Sequence, residues 1–314
     1  MLARDVEVVE LKARSHWSVF PKAMRALWRI RPDVVLSTHS HLNLIIMTGR
    51  WLMPWKTRFV GRESTLPSVH YSVTRSKYRW LVRLLLRRAY NRFDAIICQS
   101  LAMRRDLVES FRVQSGCITV INNPVDVDCV LAKAEQATDL MPGRARLVAA
   151  GRMDHGKGFD LLLQALALMK RPDTNLMILG EGPERERLAA LAQELGLADR
   201  VSMPGFVENP YPAIRQASVF VLSSRYEGFP NVVLEAGACG TPVAAFDCPG
   251  GTGEIIKPGV NGFLAEPEDP ESLARAMAQV LDGSLDRERI RAMTRERYGV
   301  ETIINQYEAL LGSI

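Results

Sequence analysis

The sequence predicts an α/β protein of two domains, each built around a parallel sheet. Short apolar runs alternate with amphipathic segments along the whole chain, which is the trace that strand–helix–strand units leave. At 314 residues the chain is long enough for two domains of ordinary size. Between the halves, the stretch from Asn122 to Arg144 gathers Asn-Asn-Pro, the pair Asp126 and Asp128, and Met-Pro-Gly, the punctuation of an interdomain linker. An apolar content of 47% with 24% charged residues excludes a disordered chain, which could not bury enough surface to fold.

Taken in order, the first half is expected to place strands at Val6–Leu11, Val34–Ser37, Thr57–Val60, Ala95–Cys98 and Ile118–Ile121. The second half is expected to place them at Leu147–Ala150, Asn175–Leu179, Val201–Met203, Val219–Leu222, Val243–Phe246 and Gly262–Leu264. Helical periodicity fills the gaps, notably over Gly158–Lys170, Glu184–Leu195, Val232–Ala238 and Pro270–Leu281. A doubly wound domain opens with a strand, a glycine-rich turn and a helix. Here no glycine precedes Gly49, and Met1 leads at once into what reads as a second strand. The first domain is therefore expected to be incomplete at its N-terminus, without its opening strand–helix unit.

Charge is unevenly shared. Residues 1–130 hold 21 Lys and Arg against 10 Asp and Glu, a balance of +11, whereas the remainder holds 19 against 25, a balance of −6. Such asymmetry suggests that one half faces a polyanion or an anionic membrane surface. The cations concentrate between residues 75 and 92 as Arg75, Lys77, Arg79, Arg83, Arg87, Arg88 and Arg92. They are interleaved with Tyr78, Trp80, Leu81, Leu84, Leu85, Leu86 and Tyr90. On a helix this gives either an interfacial membrane helix or an amphipathic helix packed on a sheet with solvated arginines. No nucleic-acid-binding module is present, so nucleic acid is not expected as a partner.

The apolar stretch Leu42–Met53 is interrupted by Arg50 and is short of the roughly 20 residues that span a bilayer. No secretory signal peptide is expected. The five cysteines, Cys98, Cys117, Cys129, Cys239 and Cys248, are scattered without metal-ligand spacing, as expected for reduced thiols in a cytoplasmic protein.

The chemistry concentrates in Glu227-Gly228-Phe229-Pro230-Asn231-Val232-Val233-Leu234-Glu235. Two carboxylates stand eight positions apart, with a turn and a helix start between them. Backbone N–H groups at such a helix start form a site for an anion such as a phosphate. The flanking carboxylates can accept hydrogen bonds from hydroxyls on either side of it. A nucleotide sugar, a diphosphate with a sugar at each end, fits that pattern; a surface loop with a capping acid and a solvated Glu is the alternative.

A second site begins after the strand Leu147–Ala150, in Gly151-Arg152-Met153-Asp154-His155-Gly156-Lys157-Gly158. A guanidinium fork and an ammonium five positions apart can grip a diphosphate, although two surface cations near a helix start leave the same trace. Further glycine-bearing pieces follow at Gly180-Glu181-Gly182-Pro183, Pro204-Gly205-Phe206-Val207, Gly240-Thr241-Pro242-Val243 and Gly250-Gly251-Thr252-Gly253-Glu254, the last expected as a flexible acidic loop.

In this order and register, from Val148 to Leu264, the set resembles the C-terminal domain of family 4 retaining glycosyltransferases, which have the two-domain GT-B architecture. The resemblance implies two Rossmann-like α/β domains facing across a cleft. They are expected over residues 1–125, the acceptor side, and 145–299, the nucleotide-sugar side, with a linker over 126–144. Residues 300–314 are expected as a helix, Val300–Leu311, returning to the first domain. Arg152 and Lys157, with Gly151, would meet the donor diphosphate, and Glu235 the ribose hydroxyls. Glu227 would hold the donor sugar's hydroxyls, and the backbone of Gly228, Phe229, Asn231 and Val232 would lie against sugar and phosphate. Phe206 and Val207 would lie near the base. No metal and no cofactor is required by this scheme, because cations and helix-end dipoles meet the departing charge.

In the first half, Ser37-Thr38-His39-Ser40-His41 follows a strand end, where open α/β sheets bind ligands, and either His39 or His41 is the histidine expected beside the reacting sugar. Val60-Gly61-Arg62-Glu63-Ser64 resembles a segment of members that build bacterial surface polysaccharides. Glu63 is either an acceptor-side carboxylate or a solvated surface Glu. The glycine-rich loop that family members carry near the N-terminus is absent here.

The activity implied is transfer of a hexose or N-acetylhexosamine, with retention, from a UDP- or GDP-sugar to a saccharide acceptor. The acceptor is expected to be lipid-linked, and the protein peripheral on the inner face of the cytoplasmic membrane. The alternatives are a non-catalytic donor-binding remnant, and a nucleotide-sugar epimerase or sugar phosphorylase of the same architecture.

Overall fold

The structure is a computed structural model that describes residues 6–12, 16–53, 55–69, 79–136 and 145–314. It divides into two compact units. One comprises Met1–Cys98, Met103–Val120 and Ala309–Ile314, and the other Gln99–Ala102 and Ile121–Glu308.

The first unit holds four parallel strands, β1 (Val34–Thr38), β2 (Arg58–Glu63), β3 (Ala95–Cys98) and β4 (Ile118–Val120), in chain order across the sheet. Its helices include α1 (His16–Ile30), α2 (Ser40–Gly49), α3 (Arg79–Tyr90) and most of α4 (Leu101–Phe111). Every residue of β3 is buried, as a parallel strand covered on both faces must be. Phe59 and Ile96 pack against Leu86 and Tyr90 of α3 and Met103 and Leu107 of α4.

The second unit holds six parallel strands in the order β10 (Gly262–Ala265), β9 (Val243–Phe246), β8 (Val219–Leu222), β5 (Ala145–Ala150), β6 (Asn175–Leu179), β7 (Val201–Gly205). Side-chain alternation sorts each central strand onto two faces. Leu147 and Ala149 of β5, Leu176 and Ile178 of β6, and Val219 and Val221 of β8 join one core. That core also contains Leu162 and Leu166 of α6 (Phe159–Leu168), Leu188 of α7 (Arg185–Glu194) and Met277 of α11 (Pro270–Asp282). Val148, Met177, Phe220 and Leu222 join the opposite core. It is closed by Val130 of α5 (Val127–Ala134), Ile214 of α8 (Tyr211–Gln216) and Val233 of α9 (Asn231–Ala238). The helical turn α10 (Thr252–Ile255) precedes β10, and α12 (Arg287–Tyr298) and α13 (Val300–Gly312) close the chain.

The strand order places the functional region. The chain adds β6 and β7 on one side of β5, then returns to add β8, β9 and β10 on the other. β5 and β8 are therefore neighbours whose following loops part in opposite directions, and ligands of open α/β sheets bind at such a switch point.

Several expectations are corrected. Val6–Leu11 is coil: Val6, Val8 and Val9 are 49%, 64% and 37% exposed, and a β-branched run is a strand only where a neighbour pairs with it. The stretch 126–144 is not wholly a linker, because Val127–Ala134 is helix α5, started by the Asp126 carboxylate accepting the Cys129 N–H at 3.0 Å. Residues 137–144 lie outside the described residues. One passage of the chain from the first unit to the second falls between Val120 and Ile121. The loop 250–254 is no free acidic loop: Thr252–Ile255 is a helical turn, and Glu254 accepts the N–H groups of Leu101 and Ala102, each at 2.9 Å. Arg75, Lys77 and Tyr78 of the basic segment also lie outside the described residues.

Candidate nucleotide-sugar site

At the switch point the chain leaves β5 through Gly151, Arg152 and Met153 into a single 3-10 turn, His155–Lys157, before α6. Asp154 caps that turn by accepting the Lys157 N–H at 3.3 Å. Gly158 sits at φ +61°, and a Cβ there would collide with the Ser223 carbonyl oxygen, so only glycine permits this approach of two loops. The turn is thereby set against the segment leaving β8. Ser223 Oγ donates to the Lys157 carbonyl at 3.0 Å, and the Arg225 N–H to the Gly156 carbonyl at 2.8 Å.

This arrangement brings Lys157 and Glu227 together. Lys157 Nζ lies 2.6 Å from Glu227 Oε1, which also accepts from Ser224 Oγ at 2.7 Å. The Glu227 side chain is only 12% exposed, so its charge is held by two donors with little help from water. The Lys157 stem runs beside Gly151, where a Cβ would touch it at 3.4 Å. Arg152, by contrast, is 74% exposed, with only the Asp154 carboxylate 3.9 Å away. A guanidinium in that setting is available to an anion.

On the other side of β5 lies a cavity of about 370 Å³ lined by Ala150, Gly151, Arg152, Leu179, Gly180, Glu181, Phe206, Val207 and Pro210. Four residues expected at the diphosphate and base thus share one cavity. Phe206 is 78% exposed, an aromatic face open to a flat ligand. Gly180, at φ +140°, is needed here because a Cβ would overlap the Gly151 carbonyl oxygen.

Between Glu227 and Glu235 the chain forms the expected helix start. Pro230 precedes α9, no side chain caps it, its first turn carries no acid, and the Val233 N–H bonds the Pro230 carbonyl at 3.1 Å, which leaves the N–H groups of Asn231 and Val232 to lead the helix towards an anion. Gly228 accepts the Gly251 N–H through its carbonyl at 2.9 Å. Phe229 is buried edge-on against Tyr298, ring centres 5.8 Å apart, which anchors the turn. Asn231 is exposed, its Oδ1 held by Asn123 Nδ2 at 2.6 Å, and Val232 is half-buried. Glu235 is half-buried, and burial raises its pKa against the opposing hydrogen bond from the Tyr211 hydroxyl. Tyr211 is pushed up to about 12 by burial and by the Glu235 charge. Glu235 does not itself line the cavity, though Pro210 beside Tyr211 does.

In the first unit, His39 and His41 stand exposed at the end of β1, their rings parallel within 9° and 6.0 Å apart. His39 adopts φ +70°, and its Nδ1 lies 2.8 Å from Ser64 Oγ. Glu63 corrects the expectation of a solvated surface carboxylate, since it is fully buried. It accepts from Ser40 Oγ at 2.9 Å, the Ser64 N–H at 3.3 Å and the Tyr90 hydroxyl. Asn43 Nδ2 donates to Tyr90 Oη at 3.1 Å, and Ser37 Oγ to Asn43 Oδ1 at 2.6 Å. Burial raises the Glu63 pKa.

Sequence reasoning missed Tyr211, Ser224 and Arg225. No spacing marks them; they acquire meaning only when loops distant in sequence meet. Among the described residues, no group of three or more His, Cys, Asp or Glu is placed to hold a metal ion.

A pair of parallel-sheet α/β units, with glycine-bearing loops at the switch point of the second, defines a protein of the GT-B type. The chain matches the glycosyl transferases group 1 family over residues 133–297 and Glycosyltransferase Family 4 over residues 4–129. The first match covers more than half of the chain, which belongs to that family.

Among curated relatives, it is 32% identical over 228 residues to a Campylobacter jejuni enzyme. That enzyme is N-acetylgalactosamine-N,N'-diacetylbacillosaminyl-diphospho-undecaprenol 4-alpha-N-acetylgalactosaminyltransferase; the match covers 72% of this chain and 61% of the relative. It is 35% identical over 191 residues to the lipopolysaccharide core biosynthesis glycosyltransferase LpsE of Rhizobium meliloti, covering 60% of this chain and 54% of LpsE. The chain thus spans little more than half the length of these two relatives. Among solved structures, HepE from Anabaena in complex with UDP superposes with a TM-score of 0.80 at 21% identity, over 94% of this chain and 82% of HepE. The galactosyltransferase WaaB in its apo form gives 0.75 at 21% identity, over 95% of this chain and 80% of WaaB. Both show the GT-B fold.

Proposed function

We propose that this protein transfers a hexose or N-acetylhexosamine from a UDP- or GDP-sugar to a saccharide acceptor in surface polysaccharide synthesis. The observation that carries the proposal is the Lys157–Glu227 pair at the switch point, placed beside the cavity that Gly151, Arg152, Phe206 and Val207 line. In this reading the base lies on Phe206 and Val207, and the ribose hydroxyls donate to Glu235. The diphosphate lies over Gly151 and the start of α9, within reach of Arg152 and Lys157. Glu227 accepts from the donor sugar's hydroxyls while it orients the Lys157 ammonium.

Bond breaking between the anomeric carbon and the phosphate oxygen leaves the electron pair on phosphate and an oxocarbenium-like sugar. Arg152, Lys157 and the α9 N–H groups stabilise the departing charge without a metal, and this electrostatic term is the largest one available. The acceptor hydroxyl bonds to the anomeric carbon and gives its proton to the leaving phosphate. In this reading the transfer retains the anomeric configuration.

A lipid-linked acceptor and the inner face of the cytoplasmic membrane complete the reading. The Campylobacter relative carries diphospho-undecaprenol in its name. On α3, Arg83, Arg87 and Arg88 are exposed beside Trp80, Leu81 and Leu85, which are 66%, 37% and 48% exposed, a cationic and aromatic face suited to anionic lipid. No helix of the described residues is long and apolar enough to cross a membrane.

The test is turnover of UDP- and GDP-sugars with saccharide acceptors by the wild type and by Arg152→Ala combined with Lys157→Ala. The double variant is expected to lose turnover by about 10²-fold or more, since each cation supplies a few kcal/mol of charge stabilisation. Near-normal turnover in the double variant contradicts the diphosphate role. A change in the donor without acceptor, or a requirement for free phosphate, would make the protein an epimerase or a phosphorylase instead.

A further inference from the structure

We infer that Arg225 is a positioning residue that sets Lys157 for the donor diphosphate, an inference that rests on the reading just given for Lys157 and Glu227. Arg225 stands two residues before Glu227 in the loop that leaves β8, and its side chain is only 12% exposed. Its guanidinium grips Asp160 of α6 with both prongs, NH1 to Oδ1 at 2.9 Å and NH2 to Oδ2 at 2.8 Å. NH1 also donates to the His155 carbonyl at 2.7 Å, and Nε to Glu268 Oε2 at 3.1 Å. Four of its five N–H donors are thereby used, so no fork remains to bind a phosphate directly.

Three of those four bonds, the two to Asp160 and the one to the His155 carbonyl, end on segments that frame Lys157. His155 opens the 3-10 turn that carries it, and Asp160 lies in the first turn of the helix that follows. The Arg225 N–H closes the ring on the Gly156 carbonyl at 2.8 Å. A planar fork on a carboxylate fixes angle as well as distance, which a lysine at the same place cannot do. Burial works against the Asp160 charge, yet Arg225 holds its pKa below the ordinary carboxylate value, so the pair remains ionised. The ammonium of Lys157 must meet a diphosphate within a fraction of an ångström, and displacement by about 1 Å costs about 10²-fold. Arg225 supplies that precision from behind the turn.

The inference separates binding of the sugar diphosphate from binding of the nucleoside end. The full chain is titrated calorimetrically with UDP-glucose and UMP, and in parallel with GDP-mannose and GMP. The quantity read is the affinity ratio of the nucleotide sugar to its monophosphate. In Arg225→Lys this ratio is expected to fall about tenfold, equivalent to about 1.4 kcal/mol, with monophosphate affinity unchanged. Asp160→Asn is expected to fall in the same selective way. Combining Arg225→Lys with Lys157→Ala should weaken the ratio no further than Lys157→Ala alone, because the first change acts through the second residue.

An unchanged ratio in Arg225→Lys, or full additivity in the double variant, overturns the positioning role. Loss of monophosphate and nucleotide sugar alike in both clamp variants makes the cluster purely structural and overturns it as well. If Lys157→Ala itself leaves the ratio unchanged, the donor assignment fails and takes the role of the clamp with it.

Discussion

Lys157 and Glu63 show how differently single residues declare themselves. Lys157 sits in a glycine-bearing turn after a strand, a setting that points to an anion from sequence alone, and the structure places its ammonium on Glu227 at 2.6 Å. Glu63 follows an apolar run in a way that reads first as a solvated surface carboxylate, and it is fully buried. It lies in a closed network with Ser40, Tyr90 and Asn43, contributed by α2 and α3, which no local pattern could have revealed. Burial raises its pKa, so the folded protein keeps a proton that the unfolded chain releases at lower pH. Between those two values stability falls as pH rises. Glu63→Gln has no proton to lose. Its melting temperature relative to wild type is therefore expected to improve as pH is raised through that interval, and a difference independent of pH would contradict the assignment.

At the scale of elements, the legible parts are those whose period and punctuation agree. β3, β6, β8 and β9 have the bounds that their apolar runs predict, because buried parallel strands are short, continuous and apolar. α5 was hidden by the Asn-Pro and Asp residues around it, although Asp126 is its N-cap rather than a breaker. Val6–Leu11 had strand composition without a strand's partner.

α3 carries the element-scale prediction. Leu86 and Tyr90 are its buried residues among those described, whereas Arg83, Arg87 and Arg88 are exposed, as are Trp80 and Leu85. Each cation near an anionic surface contributes about 1 kcal/mol. Neutralising the three arginines should reduce sedimentation with phosphatidylserine vesicles by about 10²-fold at low salt, with little change for neutral vesicles. Equal binding to both by wild type and variant would return α3 to a solvated helix face.

At the scale of the whole molecule, the order β10-β9-β8-β5-β6-β7 does what no single motif can. It carries the Gly151 and Glu227 segments to neighbouring strand ends, although the residues are 76 positions apart in the chain. The in-order glycine motifs made that architecture readable, since each marks a loop at a strand end. What remained unreadable was the set of contacts between loops, Tyr211 on Glu235 and Arg225 on Asp160, which exist only once the sheet is assembled. The uneven charge, +11 before residue 131 and −6 after it, is a feature that the proposed contact of the first half with anionic lipid would use.

The central claim is a nucleotide-sugar site in the second unit, and calorimetric titration of the 314-residue chain with UDP and with GDP tests it most directly. The account predicts one-to-one binding of at least one of them, weakened about tenfold or more in Glu235→Ala, since a charged acceptor's hydrogen bonds contribute about 1.5–3 kcal/mol. Failure of both nucleotides to bind, or equal binding by Glu235→Ala, would contradict it.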